Sequence, residues 1–535
     1  MPDITASKNT LIALLMLALA IALVGHLSWQ GEVVGLVADD AVYVLLADYF
    51  SPYSQQLRHG AAFVSRHGVF PPGYPLFLAL LGADSQHLYY AHVLTTFVIL
   101  AACWACARYL LSTGTAFALA MAYLAVFFFL PRTLLQHIEL LSEPLYLLLS
   151  MLALLTCEKL REGRDSYGVC CVAVLICLAT LTRTAGIALL VAFIFWQLFS
   201  AGRNRVWMAW LLAIIPLLIW EALKPIVYAQ PKGYSQDFLN TYHLYDLDAL
   251  LQQLARNFSA LWAGWRQYLD VNTQLSSLPA AILLPLCVVP ALLVRLKQFC
   301  LDAIYFVLYL GMILMWPHPD HMARFLYPVV PLGLCYVLLS IGFLREKRWR
   351  AYLHAMTLGL TLLAAAPSTA QILYKSIARD DAVLGGYGKT HILYRNIESL
   401  RTIENNVRIL RELAKAMQIS GTLVPTGECV YATHFEMFMY FGRHYARPIT
   451  ETDVRNKALV NSPKCHYLLV NWSSSHPYFK PGYPLAETPL NYSILYQHST
   501  RLSNFPEDKE GIVAQLILLL PPDTNAVASQ PIERK

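Results

Sequence analysis

Leu36–Leu81 reads LVADDAVYVLLADYFSPYSQQLRHGAAFVSRHGVFPPGYPLFLALL. Two adjacent carboxylates, Asp39 and Asp40, stand near its start, shortly after a continuous apolar run. A Pro71-Pro72-Gly73 turn near its end leads into more apolar sequence. Acids kept beside the first membrane span of a very hydrophobic chain are costly, so they signal chemistry more often than decoration. The stretch reads as a catalytic loop, residues 28–87, just outside a bilayer. It predicts an α-helical multi-span membrane protein.

The composition agrees. Of 535 residues, 57% are hydrophobic and 14% charged, with a mean hydropathy of +0.47. Soluble proteins carry about 25% charged residues. A net charge of +6, with Lys and Arg clustered between apolar runs, is a topology signal and not a nucleic-acid footprint. Thr10–Leu27 lacks a small-residue cleavage site and reads as an uncleaved first span.

About eleven segments are apolar enough to cross a membrane: 9–27, 88–111, 115–131, 138–157, 168–182, 184–199, 206–227, 279–297, 301–316, 325–344 and 351–373. The two meeting at Arg183 read equally as two spans or one broken helix. With the N-terminus inside, Lys159, Arg203, Arg295 and Arg345, each with basic neighbours, all face the cytoplasm. The loops 28–87 and 228–278 and the C-terminal part then lie outside. Leu250, Leu254, Phe258, Leu261, Trp262 and Trp265 recur at helical spacing, which fits a helix in the membrane interface or one packed on neighbouring spans. Residues 1–374 form the membrane module and 375–520 a small soluble α/β domain, with a helix over Ile397–Ile419 and strands near 429–433, 466–470 and 512–519. Residues 521–535 read as a tail. Nine cysteines lie in or beside spans, and the other two, Cys429 and Cys465, are a candidate disulfide in the outer domain.

Several residues carry candidate chemistry. Asp39 and Asp40 fit the cap of a helix beginning near Ala41, or a base that takes a proton from an attacking hydroxyl. Arg324, in HPDHMARFLYPVVP (318–331), fits either a snorkelling anchor or a phosphate holder. His318 and His321 read as polar loop residues, with His321 also a substrate-positioning candidate. Arg183 and Glu143 fall on the same outer side, where they suit a buried ion pair or substrate positioning, Arg183 also being a candidate to hold the donor phosphate beside Arg324. Lys224, followed by Pro225, is a weaker phosphate candidate. No spacing of His and Cys indicates a metal centre. Sequons at Asn257, Asn471 and Asn491 lie on the expected outer side.

The order of a first span, Asp39-Asp40-Ala41-Val42-Tyr43, Phe70-Pro71-Pro72-Gly73-Tyr74-Pro75, Ser142-Glu143-Pro144, Leu181-Thr182-Arg183 and the Arg324–Pro331 run resembles the GT-C superfamily of membrane glycosyltransferases. The likeness lies with the protein O-mannosyltransferase and lipid A aminoarabinose transferase group, and covers the membrane part. The resemblance implies a GT-C fold, Asp39 as base with Asp40 in place of the usual glutamate, Tyr43 and Tyr327 in substrate positioning, and Arg324 on the donor phosphate. The chain departs from the group at Val42, where the aminoarabinose branch carries arginine. It departs again at Thr184, where the group has proline.

The expected reaction is inverting transfer of a sugar from a polyprenyl or dolichyl phosphate to a hydroxyl of a lipid, glycan or protein, at the outer face of a membrane, the bacterial inner membrane being favoured. No cofactor is expected; a divalent metal bridging Asp39, Asp40 and the phosphate is a minority alternative. The rival readings are a flippase or transporter of lipid-linked sugars and a non-catalytic scaffold for the outer domain.

Overall fold

A computed structural model describes residues 4–27, 39–53, 70–83, 87–136, 140–160, 166–199, 206–227, 247–316, 322–378, 400–432, 435–448, 465–471, 492–501 and 510–520. Two compact units emerge, and each stands by itself.

The first unit holds the described residues of Met1–Glu32, Phe50–Pro52 and Ser65–Arg379. It is helical throughout. Its helices are α1 (Ile4–Leu27), α3 (Gly73–Leu80), α4 (Leu88–Ser112), α5 (Phe117–Phe129), α6 (Pro131–Gln136), α7 (Glu143–Lys159), α8 (Ser166–Thr182), α9 (Gly186–Phe199), α10 (Trp207–Val227), α11 (Leu247–Leu269), α12 (Leu278–Lys297), α13 (Leu301–Leu314), α14 (Met322–Phe325), α15 (Val330–Gly342) and α16 (Lys347–Ala378). Each apolar segment picked out in the sequence contains a helix among its described residues, the one over 325–344 being interrupted by a turn at 326–329. Four helices, over Leu88–Ser112, Trp207–Val227, Leu275–Lys297 and Lys347–Tyr374, are long and apolar enough to cross a membrane.

Most of these helices are apolar all round, which in water would leave greasy faces exposed. Helix α10 shows this plainly: Leu211, Leu218, Ile219 and Ile226 all point outward. An apolar stripe of this kind belongs against lipid or a partner. Inside, α4, α7 and α8 pack in sequence as neighbours, and α12 lies along α15. The chain between α8 and α9 turns in three residues, the Gly186 amide donating to the Arg183 carbonyl at 2.8 Å. The region around Arg183 is therefore two helices. Helix α11 realises the apolar spacing read in the second long loop. The sequon residue Asn257 is fully buried on it, and its amide donates to the carbonyls of Leu314 and Trp316, both at 2.8 Å. A glycan has no room there.

The second unit holds the described residues of Val33–Tyr49, Tyr53–Val64 and Asp380–Lys535. It contains most of helix α2 (Asp39–Phe50), then α17 (Leu400–Leu423), β1 (Val430–Ala432), α18 (Phe435–Gly442), β2 (Ala446–Pro448), β3 (Tyr467–Asn471), β4 (Tyr492–Arg501) and β5 (Glu510–Leu519). The strands make one mixed sheet in the order β2-β1-β3-β5-β4. β1 runs parallel to β2 and β3, while β5 is antiparallel to both β3 and β4. Helix α17 packs on β4 and β5. A disulfide joins Cys429 to Cys465, stapling the entries to β1 and β3.

The sequence reading assigned the acidic loop to the membrane module. Of its described residues, Asp39–Tyr49 and Tyr53 instead cluster with the C-terminal residues, while Phe50–Pro52 and residues 70–83 stay with the membrane unit. The reason lies in α2 itself: Val42, Val44, Leu45 and Leu46 are buried, and so are the carboxylates of Asp40 and Asp48. The Asp48 carboxylate stands 3.9 Å from Arg443, just past the end of α18. The expected tail, 521–535, lies outside the described residues.

Candidate functional site

The membrane unit gathers three of the expected charged residues around one carboxylate. Glu143 opens α7 directly before Pro144, a residue suited to a helix's first turn because it has no amide to satisfy there. Its side chain is completely buried. Its Oε1 accepts from Arg183 Nη1 at 2.8 Å and also from Arg324 Nε. Arg183 Nη1 donates to Ser142 Oγ as well, at 3.1 Å.

Each arginine is placed by a break in helical structure. Arg183 sits in the three-residue turn between α8 and α9. Arg324 sits in the single turn α14, ahead of Pro328, which falls in the turn before α15, and Pro331, which stands in the first turn of α15. Aromatic side chains fix both positions. The Arg183 guanidinium lies 5.7 Å from the Phe325 ring centre, Phe325 meets Trp316 edge-on, and the Tyr309 hydroxyl donates to the Phe325 carbonyl at 2.9 Å. Tyr146 completes the wall by sharing a 3.0 Å hydrogen bond with Tyr305. The Glu143 Oε2 atom and the Tyr327 hydroxyl are buried without a hydrogen-bond partner. Polar atoms stranded in this way cost free energy unless something binds them.

Beside this cluster runs a groove of about 470 Å³, lined only by apolar residues and a glycine. Phe258 and Trp262 of α11, Leu292 of α12, Phe306 of α13 and Val337 of α15 form its walls. Leu326, two residues beyond Arg324 in the chain, also lines it. Glu143, Arg183 and Arg324 do not themselves line the groove; two guanidiniums in the chain segments that adjoin an apolar trough suit a ligand with an anionic head and a hydrocarbon tail.

The other expected residues distribute as follows. Lys224 pairs with Glu221 at 3.4 Å, away from Glu143 in its contacts. Asp40 and Tyr43 lie buried on α2 in the second unit; Asp40 Oδ1 accepts from the Ala41 amide at 2.8 Å, a contact with the next residue and not the bond to the amide two or three residues on that a helix cap makes. Asp39 is the first residue of α2; its side chain, like His318 and His321, lies outside the described residues. No family model matches the chain, and no curated protein does. Among the described residues no three His, Cys, Asp or Glu side chains gather as a metal cage requires.

Two arrangements escaped the sequence reading. Arg295 was taken as a topology charge, yet it is buried and forks onto Asp302, at 2.6 and 2.9 Å, while also donating to Glu158 at 2.7 Å. The signal was a lone acid, Asp302, seven residues past Arg295 and at the start of the next apolar run. The pairing of Asp48 with Arg443 had no such signal, because an acid late in an amphipathic helix looks ordinary.

Proposed function

We propose that this protein is a membrane glycosyltransferase using a lipid-phosphate-linked sugar. The observation that carries the reading is the buried Glu143 carboxylate holding Arg183 and Arg324 beside an apolar groove. The groove takes the isoprenoid tail of a polyprenyl or dolichyl phosphate, and the arginines take its phosphate. Glu143 aims the two forks and offsets part of their charge, so the phosphate meets donors already in place.

The acceptor hydroxyl attacks the anomeric carbon as the bond from that carbon to the phosphate oxygen breaks. Asp39 receives the hydroxyl proton, and the electron pair leaves with the phosphate. Attack opposite the leaving group inverts the anomeric centre through an oxocarbenium-like transition state. The charge growing on the phosphate is what Arg183 and Arg324 stabilise; preorganised groups of this kind commonly supply the largest catalytic share. Tyr43 and Tyr327 position substrate. No protonated acid is needed, since a phosphodiester leaves readily. All eleven apolar segments serve as spans in this reading. The Cys429–Cys465 disulfide supports an oxidising compartment for the second unit, such as a bacterial periplasm.

The test is transfer from a radiolabelled polyprenyl-phosphate sugar by the full-length protein in liposomes. Asp39→Asn should abolish transfer and keep donor binding, and Arg324→Ala should weaken both. If the protein transfers no sugar while labelled lipid crosses the bilayer, and Asp39→Asn leaves that crossing unchanged, the protein is a flippase and not a transferase.

A further inference from the structure

The end of the membrane unit opposite Glu143 is built differently. Helix α7 begins at Glu143 and reaches Glu158 about 22 Å away, at the rise of a helix. There Arg295, near the end of α12, is shared by Glu158 and by Asp302, at the start of α13. Tyr336 of α15 donates to Asp302 at 2.8 Å, so α15 runs toward this end too, and α16 starts from it.

The acids at this end face inward and the cations outward. Glu158 and Asp302 are turned onto the buried Arg295. On the surface stand Lys159, Lys297, Arg345, Lys347 and Arg348, with Arg350 half-buried and Glu346 the acid among them. Apolar rings share the rim. Trp349 is 58% exposed and Tyr352 59%, their rings meeting edge-on at 6.1 Å, and Phe343 projects beside them. The base under this rim is firm, because Tyr123 of α5 is hydrogen-bonded to Thr357 of α16 at 2.6 Å.

We propose that the turn between α15 and α16, Phe343–Tyr352, binds the headgroups of anionic phospholipids. Guanidiniums and ammoniums at the start of a helix long enough to span the bilayer lie at phosphate depth. Trp and Tyr rings favour that same interface. A soluble anion would need the cations but would gain nothing from Phe343, Trp349 and Tyr352 standing exposed beside them. Cations in such a place each strengthen binding to an anionic surface by roughly five-fold. This site is independent of the donor groove and of any catalytic role.

The experiment uses the full-length protein in nanodiscs of phosphatidylcholine with a minority of phosphatidylglycerol, bromine being placed on the chains of one lipid or the other. Quenching that disappears in Trp349→Phe is assigned to Trp349. Brominated phosphatidylglycerol should quench that share several-fold better than brominated phosphatidylcholine. The preference should fall away in Arg345→Gln/Lys347→Gln/Arg348→Gln and strengthen in Glu346→Lys, so the proposal does not hang on one variant's folding. Equal quenching by the two lipids overturns it. Loss of the preference in inorganic phosphate, with sodium chloride of equal ionic strength without effect, also overturns it, since the site would then be one for a soluble anion.

Discussion

Gly73 lies directly against the Leu181 carbonyl: a Cβ on residue 73 would come within 2.7 Å of that oxygen and 2.8 Å of the Thr182 amide nitrogen. The proline-rich motif of the first long loop is thus seated on the last turn of α8, beside Arg183. Backbone cannot yield as a flexible side chain can. Gly73→Ala should therefore cost about 1–3 kcal/mol through overpacking, read as a lower melting temperature of the purified protein, with transfer falling because Arg183 is displaced. An unchanged melting temperature would contradict the contact.

Gly264 makes the corresponding approach from α11. Its missing Cβ leaves room for the Ala323 amide, which an added methyl would meet at 2.7 Å. Gly264→Ala should push α14 aside and carry Arg324 with it. The expected result is weaker donor binding at little change in expression, while Ala260→Gly, one turn away, serves as the control. Isothermal titration with polyprenyl phosphate checks it.

Removing the shared carboxylate should be worse than removing either cation. Glu143→Ala leaves two guanidiniums facing each other in a buried place, and breaking a buried pair this way costs about 3–5 kcal/mol. Glu143→Gln keeps the shape and loses the charge, so it should be intermediate. Thermal unfolding of the three proteins, with Arg324→Ala alongside, tests the order.

The Asp48–Arg443 pair ties the helix carrying Asp39 and Asp40 to the rest of the second unit. Asp48→Arg and Arg443→Asp should each speed hydrogen exchange along α2. The double exchange of charges should recover part of the protection, because the side chains are then again opposite in sign. No recovery would show that the pair contributes only packing.

Glu412 gives a pH dependence. Partial burial raises its carboxyl, but hydrogen bonds from Lys415 and His498 outweigh that and hold it below the usual carboxylate range. A carboxyl held low in the fold adds stability that is fully present above its unfolded pKa and is lost as pH falls through the folded one. Hydrogen exchange over Leu400–Leu423 should quicken as pH drops below about 4.5, the ordinary value. Glu412→Gln should flatten that response.

Much of the helical framework was written in the sequence. A long apolar run in an otherwise helical chain satisfies its backbone best as a helix where water is absent, and each such run contains one among its described residues. The small sheet was harder. β1, β3 and β5 announce themselves by apolar β-branched and leucine-rich runs. β2 has three residues, and β4, with Tyr492, Gln497, His498 and Ser499, is an edge strand too polar to look buried. The charged cluster was half legible. Glu143, Arg183 and Arg324 drew notice as ionisable residues in apolar surroundings, whereas their meeting at one oxygen depends on turns that no local pattern encodes. The grouping of α2 with the C-terminal residues is a long-range fact of the same kind.

Helix α7 has a carboxylate engaged at either end, Glu143 by Arg183 and Arg324, Glu158 by Arg295. A rod pinned at both tips can neither slide along its axis nor roll without breaking an ion pair. It is the fixed post of the bundle, so any motion that admits the lipid donor proposed above has to come from the helices around it.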